Sequence, residues 1–160
     1  MGTPLVLIAE DSNGVMEASM RLARVGIESV IGYLEGGVAA WAGSGGAVQE
    51  TPQLTADELQ GKLKEGTIAT LLDVRKPGEY NTAHIAGSLP IELSHLQKSA
   101  ETALPDRSSP IAVMCQSGYR SIVVVSLLER AGYANVYNVI GGMGAWQAFQ
   151  SSHKDIPAAV

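Results

Sequence analysis

Cys115 is the one cysteine of the chain. It closes a short apolar run, Ile111-Ala112-Val113-Met114, and is followed by Gln116-Ser117-Gly118-Tyr119-Arg120-Ser121. That order reads as a strand, an anion-cradling loop and a helix N-terminus, with a thiol at the base. The thiolate is the nucleophilic form of cysteine. At a helix start, unpaired backbone N–H groups and the helix dipole favour an anion. Arg120 adds a permanent positive charge with forked donors. Gly118 lets the backbone curl without a Cβ penalty, and Ser117 and Ser121 offer hydroxyl donors. The loop is therefore expected to lower the thiol pKa and to hold an anion such as a persulfide or an oxyanion. A lone cysteine ending a strand is more often a small buried hydrophobe. The Gly-Tyr-Arg that follows and the helix start favour chemistry here.

Other polar residues carry less. Asp73 and Arg75 end an apolar run and are expected at the edge of the site. They would orient Arg120 or touch substrate, or else form a structural ion pair. Glu79 is expected to be structural. His84 is given a capping or loop-packing role, because a thiolate held by loop amides needs no general base. Trp41 and Trp146 are both expected in the core, and Tyr119 is expected to help line the pocket. His95 and His153 carry no case.

Composition narrows the function classes. A chain of 160 residues with 46% hydrophobic and 17% charged residues can build a real core. The net charge of −5 suggests no basic face, so nucleic acid is not an expected partner. No apolar run reaches the ~20 residues of a membrane helix. Met1-Gly2-Thr3-Pro4 lacks the basic and apolar regions of a signal peptide. A single cysteine excludes an intrachain disulfide and a four-cysteine zinc site. His84, His95 and His153 lack helical metal-ligand spacing. We therefore expect no metal, no cofactor and a cytoplasmic setting.

The elements that must position the loop follow from pattern. Leu5–Ile8 reads as a buried parallel strand. Asp11-Ser12-Asn13-Gly14 offers N-cap chemistry, and a helix closes at Gly26. Residues 29–34 read as a strand, and Gly36-Gly37 opens a short helix containing Trp41. Thr55 with Glu58 is a capping box, with a Leu54–Leu59 staple. That helix ends at Gly66. Residues 69–75 form a strand, and Pro77 starts a short helix. Residues 92–100 are helical, the strand before Cys115 follows, and residues 119–131 form a helix closing at Gly132. Residues 135–140 form a strand, and Gly141-Gly142 opens the last helix, through Phe149. Alternating short strands and helices imply a parallel sheet covered on both faces.

The chain also repeats itself. Pro4 matches Pro110 and Gly26 matches Gly132, at an offset of about 106 positions. Leu22-Ala23-Arg24-Val25-Gly26 lies over Leu128-Glu129-Arg130-Ala131-Gly132. Gly36 matches Gly142, and Trp41 matches Trp146 after one residue is dropped between them. Ala9 stands at the cysteine position, and nothing from Glu10 to Val15 replaces the arginine. Residues 1–42 are thus expected to be the back half (βαβα) of a degenerate, non-catalytic repeat. Residues 43–53 are a linker, 54–150 a complete domain and 151–160 a tail. Half a repeat lacks strand neighbours and cover. It would pack on the complete unit, pair with a second chain in a homodimer, or belong with a front half that this sequence omits.

Here a resemblance becomes specific. Cys115-Gln116-Ser117-Gly118-Tyr119-Arg120 resembles the Cys-x-x-Gly-x-Arg active-site loop of the rhodanese family. Leu72-Asp73-Val74-Arg75 with Pro77, Glu79, Tyr80, His84-Ile85 and Gly87-Ser88 resembles its upstream signature. Asn138-Val139-Ile140-Gly141-Gly142-Met143 with Trp146 resembles its C-terminal signature. The resemblance implies a rhodanese-like α/β fold and sulfurtransfer, with Cys115 catalytic and Gln116, Ser117, Gly118, Tyr119, Arg120 and Ser121 binding substrate. Cys115 would take sulfur from a donor, thiosulfate or a persulfide such as glutathione persulfide, and pass it to a thiol or cyanide acceptor. Gln116 stands where many relatives carry a basic residue, so weaker attraction for the thiosulfate dianion is expected. The half-repeat resembles the end of a non-catalytic rhodanese repeat in proteins with a metallo-β-lactamase-like domain, which implies such a domain as a covalent partner. Two other functions compete. Cysteine phosphatases carry five residues between Cys and Arg, whereas four stand between Cys115 and Arg120. A non-catalytic regulatory module is the other, and the retained Cys115 and Arg120 count against it.

Overall fold

The computed structural model of the chain describes Thr3–His153. It divides into two compact units, at Glu50 and Thr51. The second unit carries the cysteine loop. Its five strands are β3 (Gln53–Leu54), β4 (Thr70–Asp73), β5 (Leu89–Pro90), β6 (Ile111–Met114) and β7 (Val136–Val139). They form one parallel sheet in the order β3-β7-β6-β4-β5. Central β6 is buried along its whole length, as a strand with helices on both faces must be. Residues alternate across it. Ile111, Val113 and Cys115 join one core cluster with Leu96, Val124, Val125 and Leu128. Ala112 and Met114 join the other, with Leu54, Leu59, Leu71, Met143 and Trp146.

Local chemistry sets the helix bounds. Helix α3 (Ala56–Glu65) starts on the expected capping box: Glu58 N–H donates to Thr55 Oγ1 at 3.3 Å, and Thr55 N–H donates to Glu58 Oε2 at 2.8 Å. It stops where Gly66 turns left-handed, at φ 70°. Helix α4 (Pro77–Thr82) has proline in its first turn. Helix α5 (Leu96–Ala103) follows a 3-10 turn over Leu93–His95. Helix α6 (Tyr119–Arg130) leaves the cysteine loop. Helix α7 (Gly142–Ser152) follows β7. It runs past Phe149 into the stretch expected to be tail, and Gln53, expected in the linker, pairs with Asn138 in the sheet. Residues 154–160 of the tail lie outside the described residues.

The first unit holds β1 (Leu5–Ile8), α1 (Ser12–Arg24), β2 (Val30–Leu34) and α2 (Gly37–Gly43), the element order of β6-α6-β7-α7. Strands β1 and β2 pair in parallel. Asp11 caps α1 by accepting from Gly14 N–H at 2.8 Å. Three expectations need correction. Strand β1 is not buried: Leu5 and Leu7 are half-buried, while Val6 and Ile8 are exposed. Trp41 is 49% exposed, its indole N–H bonded to Ala47 O, whereas Trp146 is 4% exposed. The structural counterpart of Gly142 is Gly37, not Gly36. A side chain on Gly37 would meet Ala9 O, and one on Gly142 would meet Cys115 O.

Candidate active site

Strand β6 delivers Cys115 to the C-terminal edge of the sheet, where neighbouring β4 ends at Asp73. The loop Gln116–Gly118 then turns into α6, with Gly118 at φ 96°, a left-handed conformation that suits glycine. This curl aims Gly118 N–H at Cys115 Sγ, 3.2 Å away. Ser121, one turn into α6, lies 3.5 Å from the same sulfur and donates to Gly118 O at 3.0 Å. Both Cys115 and Ser121 are fully buried.

The loop can present its N–H groups inward because its carbonyls are engaged elsewhere. Cys115 O accepts from Met143 N–H at 2.8 Å, and Gln116 O accepts from Gly144 N–H at 3.1 Å. Both donors belong to the first turn of α7, whose N–H groups have no partner within the helix. The approach is so close that a Cβ on Gly142 would stand 2.1 Å from Cys115 O. Gly142 is thus part of the loop's support. The sequence showed the Gly141-Gly142 pair as a helix opening and as part of the C-terminal signature, and a Gly-Gly pair at the same place in both copies was a further signal of this supporting role.

Burial acts to raise the Cys115 thiol pKa. Hydrogen bonding with the Ser121 hydroxyl and with the backbone N–H groups of Ser121, Ser117 and Gly118 outweighs it, so the pKa falls below its ordinary value. Arg120 is held by Glu79 through two bonds, Nη1 to Oε2 and Nη2 to Oε1, each 2.7 Å. The Glu79 hydrogen bonds raise the Arg120 pKa most, and the Cys115 thiolate adds to the rise. Glu79 falls to about 2, chiefly through the Arg120 bonds; burial opposes this, and the Lys76 N–H, 3.2 Å from Oε2, assists. One carboxylate therefore caps α4 and clamps the arginine of the cysteine loop.

Arg120 thus takes its partner from Glu79 rather than from Asp73. Arg75 is 3% exposed and bonded to Asp73, with Nη2 at 2.6 Å from Oδ2 and a second bond from Nη2 to Ala83 O at 2.7 Å. This closed pair ties the end of β4 to the end of α4. Glu79 is the site residue that sequence reasoning set aside, since its partner lies 41 positions away and no local pattern records that contact. His84 stacks on Tyr80 with ring centroids 4.1 Å apart and bonds its backbone carbonyl, a loop-packing role. Gln116 is exposed. Tyr119 is 84% exposed and, with Ser117, Gly118, Ile122, Asn138 and Ile140, lines a shallow groove of about 330 Å³ beside the loop. Among the described residues, no cluster of three or more His, Cys, Asp or Glu side chains could hold a metal ion. No described helix is long and apolar enough to cross a membrane.

A buried thiol held by backbone N–H groups, next to a fixed guanidinium, can attack an electrophilic atom and hold the anion formed. Thiosulfate sulfurtransferase GlpE of Coxiella burnetii is 36% identical over 78 residues, 49% of this chain and 71% of that one. The Bacillus subtilis protein YrkF is 30% identical over 95 residues, so this chain spans half of YrkF's length. Among solved structures, a rhodanese-like domain protein from Staphylococcus aureus is 31% identical with a TM-score of 0.54, covering 60% of this chain and 91% of that one. A rhodanese-related protein from Thermoplasma volcanium is 31% identical with a TM-score of 0.57, covering 68% and 97%. The family model of the rhodanese-like domain matches residues 55–149, and the chain belongs to that family.

Proposed function

We propose that the second unit is a sulfurtransferase acting through a persulfide on Cys115. The observation that carries this is the buried Cys115 sulfur accepting the Gly118 N–H inside a loop closed by Arg120. In the first half-reaction the thiolate attacks the outer sulfur of a donor. With thiosulfate, the new bond is Cys115 Sγ–S, the broken one is S–S, and sulfite leaves with the electron pair. With glutathione persulfide, glutathione thiolate leaves instead. In the second half-reaction an acceptor thiolate or cyanide attacks the outer sulfur, and the Cys115 thiolate is the leaving group. The resting thiolate and the persulfide anion carry the same charge, so the same N–H donors and Arg120 serve both states.

Four residues between Cys115 and Arg120 make a tighter cradle than the five of phosphatases, which suits a sulfur on the cysteine better than a tetrahedral phosphate beside it. Intact-mass spectrometry tests the proposal. A sulfur donor should add about 32 Da to the chain, and Cys115→Ser should remove the adduct. An unmodified chain after donor treatment, or aryl phosphate hydrolysis without thiocyanate formation from cyanide, would overturn it. Exposed, uncharged Gln116 supports a donor preference for glutathione persulfide over thiosulfate, and a ratio of second-order rate constants favouring thiosulfate would contradict that.

A further inference from the structure

The first unit has the strand–helix order of half a rhodanese domain, and its surface records what is missing. Among its described residues only Gly37 is buried. Val6 and Ile8 are 60% and 61% exposed, whereas Ala112 and Met114, at the matching positions of the second unit, are both fully buried. What buries those two is known: they share a cluster with Leu54, Leu59, Ile68 and Leu71, all from the front half of the second unit. The same four residues share that cluster with Trp146, whose counterpart Trp41 is exposed. The sheet edge gives the same answer. Strand β6 lies between β7 and β4, while among the described residues β1 pairs only with β2. An apolar face beside an unpaired edge is a template for an added strand.

We propose that this face and edge form a docking surface for a rhodanese front half, a strand–helix segment preceding β1 on the same polypeptide. Its strand pairs in parallel with Leu5–Ile8, in the register that Thr70–Asp73 holds against Ile111–Met114. One apolar residue of that strand, placed as Leu71 is, lies beside Val6. An amphipathic helix placed as α3 is covers Ile8 and Trp41 with leucine-type side chains. The occupant is thus specified by the chain's own second copy, and the inference stands independently of the sulfur chemistry.

The test uses the 160-residue chain and a fusion that sets residues 51–109 of the same chain directly ahead of Pro4. Pro4 occupies the position of Pro110, so the fusion restores the order of the second unit. Hydrogen exchange of the segment Leu5–Ile8 is followed by mass spectrometry. The fusion should exchange there roughly 100-fold more slowly than the 160-residue chain. Ile8→Asp should remove that protection in the fusion and leave exchange in the shorter chain unchanged. Equal exchange in fusion and chain overturns the proposal. So does a 160-residue chain that sediments as a dimer with Leu5–Ile8 already protected, because the face then belongs to a second copy.

Discussion

Glu79→Gln separates the charge of the Glu79–Arg120 clamp from its shape. Glutamine keeps the size and one acceptor but loses the negative charge facing both guanidinium nitrogens. A carboxylate lowered from 4.5 to about 2 would correspond to roughly 3 kcal/mol at 1.36 kcal/mol per tenfold change. Both side chains are one-third exposed, so solvent screening leaves about 1–2 kcal/mol. The sign follows from linkage. Glu79 has a depressed folded-state pKa, so its contribution is complete above the unfolded value near 4.5 and is lost as pH falls through about 2. Urea unfolding read by Trp146 fluorescence, in a Trp41→Phe background, measures it. The variant should be less stable than the parent by about 1–2 kcal/mol at pH 7, and the gap should be visibly smaller at pH 3. An equal gap at both pH values, or none at pH 7, would refute the electrostatic account and leave Glu79 with only its role in capping α4.

Three other outcomes follow from the same geometry. Gly142→Ala should destabilise the second unit by more than about 3 kcal/mol, seen as a lower urea midpoint, because its Cβ meets the Cys115 carbonyl at 2.1 Å. Ser121→Ala removes the hydroxyl that lies 3.5 Å from the Cys115 sulfur and helps to lower its pKa; the pH profile of iodoacetamide alkylation should move to higher pH, with slower reaction at pH 7. Trp146→Ala should cost about 3–5 kcal/mol, whereas Trp41→Ala in the 160-residue chain should cost less than about 1 kcal/mol.

Features written locally were legible without coordinates. The Thr55–Glu58 capping box and the glycines closing α1, α3 and α6 need only neighbours within a turn, and each occurs as expected. The strand–loop–helix around Cys115 is likewise contiguous in sequence, and a parallel strand buried on both faces has to be apolar throughout. The half-repeat was legible too, as element order. Its burial was not: Val6, Ile8 and Trp41 have core composition, yet each is about half exposed or more. Periodicity reports which face wants burial, never whether something arrives to bury it.

The sequence by itself determined the candidate residues, Cys115 and Arg120, and the α/β rhythm that sets them at a strand end. Only the tertiary structure decided what they bind to. Arg120 is clamped by Glu79 from a helix distant in sequence, while Asp73 and Arg75 close on each other. The first turn of α7 takes the loop's carbonyls, so that the Gly118 N–H can point at the sulfur. The reason is physical. Caps and turns are stabilised within a few residues, whereas ion pairs and carbonyl contacts between elements exist only once the sheet has brought the ends of β4, β6 and β7 to one edge.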